Sequence, residues 1–292
     1  MFLLSALVRS LRPAQWAKNL FVLAPLVFGR ELASPQALLQ GVLAFAAFCA
    51  ASSLVYLVND VRDREEDRRH PLKRYRPIAS GALPVSVALA AAAGLAALAV
   101  GLGAFLGPAF LGWMAAYVAL NGLYTFGFKR VVILDVMTLS MGFVLRVLAG
   151  GAAVGVEVSS WLLLCTIFLA LFLAFSKRRH ELVLLDDAAA DQRSVLGQYS
   201  LTFLDQMINV VTASTVIAYA LYAVAPETAE RYETQDLVYT IPLVLFGIFR
   251  YLYLTYQDTS ERNPTEAILT DPPFLINLAL WSLAVLWIVY GR

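Results

Sequence analysis

Residues 59–77 read Asn-Asp-Val-Arg-Asp-Arg-Glu-Glu-Asp-Arg-Arg-His-Pro-Leu-Lys-Arg-Tyr-Arg-Pro. Five acidic and seven basic residues fall between Asp60 and Arg76. On a continuous helix at about 100° per residue, Asp60, Asp63 and Asp67 project within about 60° of one face. Carboxylates clustered in this way repel one another unless a cation compensates. Oxygen-only ligation suits Mg²⁺ rather than a softer metal. Downstream, Lys73, Arg74 and Arg76 can hold phosphate oxygens, while Arg62, Arg64, Arg68 and Arg69 interleave with the acids and balance charge. A solvated loop laced with ion pairs would have a similar composition. The Asn59-Asp60 start, set directly against an apolar run, favours the metal reading.

A second set of charges lies deeper. Asp135 and Arg146 are eleven residues apart, which returns them to within about 20° on a helix and separates them by roughly 16 Å along its axis. A charge inside an apolar span costs several kcal/mol unless paired, and by default it faces a polar cavity. For Arg146 the alternative is a structural pair with a neighbouring helix; for Asp135 it is a helix cap or an ion pair. The run Phe175-Ser-Lys177-Arg178-Arg179-His180-Glu181 reads as an anchor at the headgroups. Together with Arg146 and Lys129 it could instead bind a second phosphate. Arg250 is either a site residue or half of an ion pair. His70 and His180 read as loop residues, and no His/Cys spacing suggests another metal.

The stretch Asn59-Asp60-x-x-Asp63-x-x-x-Asp67, followed by His70-Pro-x-Lys73-x-x-Arg76-Pro77-Ile-Ala-Ser-Gly81, resembles the first aspartate-rich motif of the UbiA prenyltransferase superfamily. The resemblance implies an all-α polytopic membrane protein, a bundle of nine transmembrane helices around a central cavity open to the cytoplasm and the membrane. It also implies that Mg²⁺ holds a diphosphate at Asn59, Asp60, Asp63 and Asp67. The superfamily's second motif, D-x-x-x-D, aligns with Asp135, but Leu139 stands where its second aspartate would be. Leu11-Arg-Pro-Ala-Gln15-Trp16-Ala-Lys18-Asn19, Gly142-Phe-Val-Leu-Arg146, Ser176-Lys177-Arg178-Arg179, Phe249-Arg250 and the closing Leu269–Asn277 resemble one branch, the decaprenyl-phosphate phosphoribosyltransferases. In that branch the diphosphate belongs to phosphoribosyl pyrophosphate and the acceptor is a polyprenyl phosphate lipid. Lys18, Tyr124, Lys129, Asp135, Arg146, Lys177 and Arg178 join Asn59, Lys73, Arg74 and Arg76 as substrate-binding candidates. An ordinary prenyltransferase acting on an aromatic acceptor is the alternative, and homo-oligomerisation stays open.

These residues need a membrane scaffold. Of 292 residues, 60% are hydrophobic and 15% charged, with mean hydropathy +0.70. Soluble domains carry about 25% charged residues, so the composition points to a multi-pass membrane protein. A net charge of +1 makes no case for nucleic acid. Residues 77–128 hold no charge; as one helix they would extend about 78 Å, against a hydrocarbon core of roughly 30 Å. They must cross twice, broken near Gly101, Gly103, Gly107 and Pro108. Nine spans follow, near 17–31, 36–58, 83–102, 109–127, 131–153, 159–176, 205–226, 237–256 and 272–290. The apolar stretch Phe2–Val8 is too short for a signal-peptide core. One integral membrane domain is expected across residues 1–292.

With a cytoplasmic N-terminus, seventeen of the 22 Lys and Arg residues fall on the cytoplasmic side. Arg30, Arg231 and Arg292 fall opposite, and Arg146 and Arg250 lie inside spans. This asymmetry matches the positive-inside rule and puts the chemistry at the cytoplasmic face of the cell membrane. Trp16, Trp161 and Trp281 read as interfacial anchors, and Cys49 and Cys165 as inert packing residues. A transporter or flippase would set its charges at mid-membrane in paired half-helices, whereas these cluster at span ends.

Overall fold

A computed structural model describes residues 2–71, 73–185, 195–257 and 270–291. Leu269 and Arg292 lie outside the described residues. Every regular element among them is helical. Among the described residues, eight helices are long and apolar enough to cross a membrane. The chain divides into two compact units, residues 1–128 with 142–158, and residues 129–141 with 159–292.

In the first unit, α1 (Phe2–Leu11) is followed by a 3₁₀ segment, Pro13–Leu23, and a short α2 (Ala24–Phe28). These overlap the expected first span near 17–31 but are not among the eight long apolar helices. Eleven 3₁₀ residues at about 2.0 Å each and five α residues at 1.5 Å reach roughly 30 Å, the thickness of a hydrocarbon core. Next comes α3 (Pro35–Arg62), started by Ser34, whose hydroxyl accepts from Ala37 N at 3.2 Å. Among its buried residues are the small Gly41, Ala44, Ala47, Ala50, Ala51, Ser52 and Ser53, beside the larger Phe48 and Leu57. Small residues let helix backbones approach where lipid offers no hydrophobic drive to association. The connection to the next span holds α4 (Arg64–Arg69) and α5 (Pro77–Ser80).

The uncharged run then forms α6 (Val85–Leu106) and α7 (Pro108–Phe126). The break falls at Gly107, whose φ of +108° suits glycine, and Pro108 starts the next helix. Leu98, Val100, Phe105, Leu123 and Phe126 stay exposed for lipid.

Helix α8 (Leu134–Val154) contributes residues 142–154 to this unit. There Gly150 lies against the 3₁₀ segment: a Cβ added to it would come within 1.9 Å of the Val22 carbonyl oxygen. Gly150→Ala is expected to destabilise the protein by about 2–3 kcal/mol, as overpacking against backbone does. Thermal melts of the detergent-purified protein would measure the loss.

The second unit takes the start of α8 and adds α9 (Ser160–Leu185), α10 (Leu201–Val224), α11 (Pro226–Tyr232), α12 (Ile241–Gln257) and α13 (Pro272–Tyr290). Helix α9 runs well past the expected end of its span at 176. His180 is therefore helical and buried rather than in a loop. Trp281 lies midway along α13 rather than at a span end, and its indole donates to Tyr219 Oη at 3.1 Å, which corrects the reading of it as an interfacial anchor.

Arg250 resolves as half of an ion pair. Its Nε and Nη2 each lie 2.9 Å from the Asp271 carboxylate. Asp271 also caps α13 by accepting from Phe274 N. The Arg250 hydrogen bond holds the Asp271 carboxyl below the usual carboxylate range. A depressed carboxyl stabilises the fold above its unfolded pKa of about 3.9 and loses that contribution as pH falls through its lower folded value. Asp271→Ala should therefore lower the melting temperature at neutral pH, with about 1 kcal/mol from the cap alone. The gap to wild type should shrink below about pH 4, which melts across a pH series would show.

Candidate active site

The aspartate motif does not continue one helix. Helix α3 ends at Arg62, and Asp63 sits at the junction with φ −85° and ψ 8°, its N–H donating to Asn59 O. Helix α4 restarts at Arg64 and carries Asp67. Asp60 and Asp67 are both 3% exposed, whereas Asp63 is half-buried. The helix is thus interrupted at the middle aspartate, with Asp60 and Asp67 buried and Asp63 more exposed.

Two arginines occupy the buried carboxylates. Arg12 Nη2 donates to Asp60 Oδ1 at 2.6 Å. Arg76 Nη1 bridges Asp67 Oδ2 at 2.7 Å and Asp60 Oδ1 at 3.2 Å. The sequence explains how Arg76 is aimed. Preceding Pro77, it is forced into extended backbone (φ −60°, ψ 141°). Helix α5 behind it is buried through Pro77, Ile78 and Ala79, and ends at Gly81 with φ +85°. Asn59 is oriented by the Thr125 hydroxyl, which donates to Asn59 Oδ1 at 2.8 Å from the end of α7. Burial pushes the Asp67 carboxyl up; the Arg76 charge and hydrogen bond pull it back, and Lys73 adds a smaller pull in the same direction.

Arg12 escaped the sequence reading of the site. It has a left-handed backbone (φ 55°, ψ 61°) directly before Pro13, a conformation costing about 1–2 kcal/mol for a non-glycine residue. Its guanidinium lies 5.0 Å from the Tyr56 ring centroid. The turn is pinned by Ser53 Oγ, which donates to Leu11 O at 3.0 Å, and by Trp16 Nε1, which donates to Ser53 Oγ at 3.0 Å. Trp16 thus anchors the site's edge. The only local signal for Arg12 was its place in the Leu11–Asn19 stretch.

Lys18 is half-buried on the 3₁₀ segment, Tyr124 half-buried on α7, and Lys73 half-buried beside α4. Arg74 is exposed and turned onto its neighbour, its Nη2 donating to Tyr75 Oη at 2.8 Å. Arg146 is 5% exposed, and each guanidinium nitrogen meets a protein acceptor. Nε donates to Asn19 Oδ1 at 2.8 Å, Nη1 to Gly142 O at 2.8 Å and Nη2 to Tyr117 Oη at 2.9 Å. It is therefore not presented as an open phosphate ligand.

The remaining candidates lie in the second unit. Asp135 is fully buried, and Arg178, 1% exposed, places Nε 2.9 Å from its Oδ2. Arg178 also pairs with Glu181. Tyr199 Oη donates to Asp135 Oδ1 and accepts from Ile133 N, both at 2.7 Å, which secures a turn where Ile133 has φ +70°. Leu139, at the position of the missing acid, packs in the apolar cluster around Val136, Phe172 and Leu204. The structure thus assigns Asp135 and Arg178 to each other rather than to an open anion site. Lys177 lies 3.7 Å from Glu181, and Lys129 is half-buried at the head of the 129–141 stretch. Sequence reading also missed the Arg179–Asp205 pair (2.6 Å), to which Tyr256 donates. Nothing local marks Tyr199 or Asp205, because their partners are distant in sequence.

Among the described residues, no three carboxylate, histidine or cysteine side chains converge on a single metal position. The donor chemistry still fits a hard divalent cation. Asn59, Asp60, Asp63 and Asp67 offer only oxygens, and a cation entering there would exchange with Arg12 and Arg76 for carboxylates that are already charge-balanced.

The UbiA prenyltransferase family profile matches residues 21–283. The chain is 37% identical to the decaprenyl-phosphate phosphoribosyltransferase of Corynebacterium glutamicum, over 99% of this chain and 88% of that protein. It is 35% identical to the protein of that name from Mycolicibacterium smegmatis, over 96% and 91%. Its fold matches a UbiA homologue from Archaeoglobus fulgidus solved with GPP and Mg²⁺, with TM-score 0.72 and 21% identity over 97% of this chain and 99% of that one. The motif, the helical fold and the near full-length match agree: the chain belongs to the UbiA prenyltransferase family.

Proposed function

We propose that this protein transfers 5-phosphoribosyl from phosphoribosyl pyrophosphate to a polyprenyl phosphate. The products are pyrophosphate and a polyprenylphosphoryl-5-phosphoribose, a lipid-linked pentose precursor for cell-envelope glycans. One observation carries the reading: the second acidic position is closed. Leu139 packs into an apolar cluster and Asp135 is neutralised at full burial by Arg178. Among the described residues, that leaves the acidic centre at residues 59–67. One centre suits a single diphosphate donor and an acceptor that arrives as an anion. The names of the two similar relatives, decaprenyl-phosphate phosphoribosyltransferases, support phosphoribosyl transfer to a polyprenyl phosphate.

In this reading the pyrophosphate of the donor lies at Asn59, Asp60, Asp63 and Asp67, the oxygens that would hold Mg²⁺. The ion, when bound, supplies charge neutralisation at the leaving group. Arg12 and Arg76, released from Asp60 and Asp67, turn to the pyrophosphate and stabilise the charge that builds on it. Lys73 and Arg74 steady the pyrophosphate or the ribose 5-phosphate; Lys18, Tyr124, Lys129 and Lys177 are the remaining phosphate ligands. The C1–O bond to pyrophosphate breaks, and its electron pair leaves with the pyrophosphate. An oxygen of the lipid phosphate forms the new bond to C1 from the opposite face. That oxygen is already anionic, so no general base is needed and positioning is the main contribution of the protein. The charge asymmetry puts the N-terminus and this chemistry on the cytoplasmic side of the cell membrane.

Purified protein given polyprenyl phosphate, Mg²⁺ and ribose-labelled phosphoribosyl pyrophosphate should place label in the extracted lipid. An unlabelled lipid fraction, together with prenyl transfer from a prenyl diphosphate to an aromatic acceptor, would overturn the proposal.

A further inference from the structure

We infer that Arg146 is a positioning residue that acts through Asn19 to hold the 3₁₀ segment, and with it Arg12, against the aspartate site. A guanidinium at 5% exposure is expensive in an apolar span, and a methionine or leucine would fill its volume at lower cost. An arginine supplies instead a rigid fork joining three elements: Asn19 on the 3₁₀ segment, Tyr117 on α7, and Gly142 one turn back on α8. All three acceptors are neutral. The charge is further held over the rings of Tyr117 and Phe143, at 4.5 and 5.4 Å from their centroids.

Asn19 passes the connection on. Fully buried, it accepts from Arg146 and donates through Nδ2 to Ser52 Oγ (3.1 Å) and Cys49 Sγ (3.4 Å) on α3, the helix whose last turn carries Asn59 and Asp60. One turn beyond Arg146, Gly150 admits the backbone of Val22. The 3₁₀ segment is thereby gripped in its second half. At its start is Arg12, strained and bonded to Asp60.

A 3₁₀ run of eleven residues is far longer than the usual three or four, so its partners must enforce it. Relaxing it to an α-helix would shorten it by about 5 Å, enough to withdraw Arg12 from Asp60. Lysine cannot replace the fork, because it offers a point charge rather than three fixed donors.

The chain's two cysteines give a readout independent of catalysis. With Cys165→Ala as the parent, Cys49 is the only thiol, 7% exposed and covered by Asn19. In detergent-purified protein, Arg146→Gln and Asn19→Leu should each raise the rate of Cys49 labelling by N-ethylmaleimide at least about tenfold, and the double variant should add little, as one shared path requires. Arg146→Lys should restore little of the protection. Tyr117→Phe, which keeps the ring and loses one acceptor, should give a smaller rise and serves if the Arg146 variants do not fold. In the transferase assay kcat should fall while KM for either substrate changes by less than about threefold. Unchanged labelling in Arg146→Gln with a raised KM for one phosphate substrate would overturn the inference and make Arg146 a direct ligand. The kinetic arm rests on the proposed reaction, but the labelling arm does not. A parent that labels as expected yet transfers no phosphoribosyl group would sink the reaction alone.

Discussion

Asp60→Asn is expected to lower kcat/KM at saturating Mg²⁺ by at least about a hundredfold, or about 2.7 kcal/mol of transition-state stabilisation. The substitution keeps the shape of the side chain and removes its charge. Asp60 receives both Arg12 and Arg76, so the amide would leave two guanidiniums facing a neutral group and weaken the oxygen set that suits Mg²⁺. The arginine side chains are 29% and 30% exposed, and water can solvate part of the released charge. The cost should therefore fall on activity far more than on folding. Steady-state rates across a Mg²⁺ titration, beside a thermal melt, would check this. A variant with wild-type rates and unchanged Mg²⁺ dependence would remove Asp60 from the site.

Asp135→Ala and Arg178→Ala should each sharply lower the melting temperature and the yield of stably folded protein. Removing one partner of a buried pair leaves the other charge uncompensated, typically at 3–5 kcal/mol, against a total stability of about 5–15 kcal/mol. Here the exposures are 0% and 1%, so solvent offers no relief. Tyr199 would also lose its acceptor while holding the strained Ile133 turn. The double variant Asp135→Leu with Arg178→Met should recover most of the monodisperse protein, because replacing a buried pair with apolar groups is often neutral. Size-exclusion profiles and melts would measure the recovery. Single variants that melt like wild type but lose turnover would return Arg178 to a substrate-binding role.

The aspartate motif was legible because its acids and bases are crowded against an apolar run, and the long apolar helices were legible because charge is nearly absent from them. What the sequence hid was set by tertiary contact. Helical spacing grouped the aspartates, but it did not show that α3 is interrupted at Asp63 or that Arg12 and Arg76 hold the two buried carboxylates. Hydrophobicity cannot distinguish a 3₁₀ from an α segment. Pro13–Leu23 takes the longer form through Asn19, Arg146 and Gly150, which lie far apart in sequence. The basic run at 177–179 had the composition of a headgroup anchor, yet Arg178 turns inward to Asp135 from more than forty residues away.

Phosphoribosyl pyrophosphate carrying ¹⁸O at the oxygen between C1 and pyrophosphate tests the central claim most directly. Attack by the lipid phosphate on C1 predicts that all of the ¹⁸O leaves with pyrophosphate and none enters the lipid product, as mass spectrometry of both would show. Heavy oxygen retained in a lipid product would mean that a phosphorus–oxygen bond had broken instead, and would contradict pentosyl transfer at the Asp60–Asp67 site.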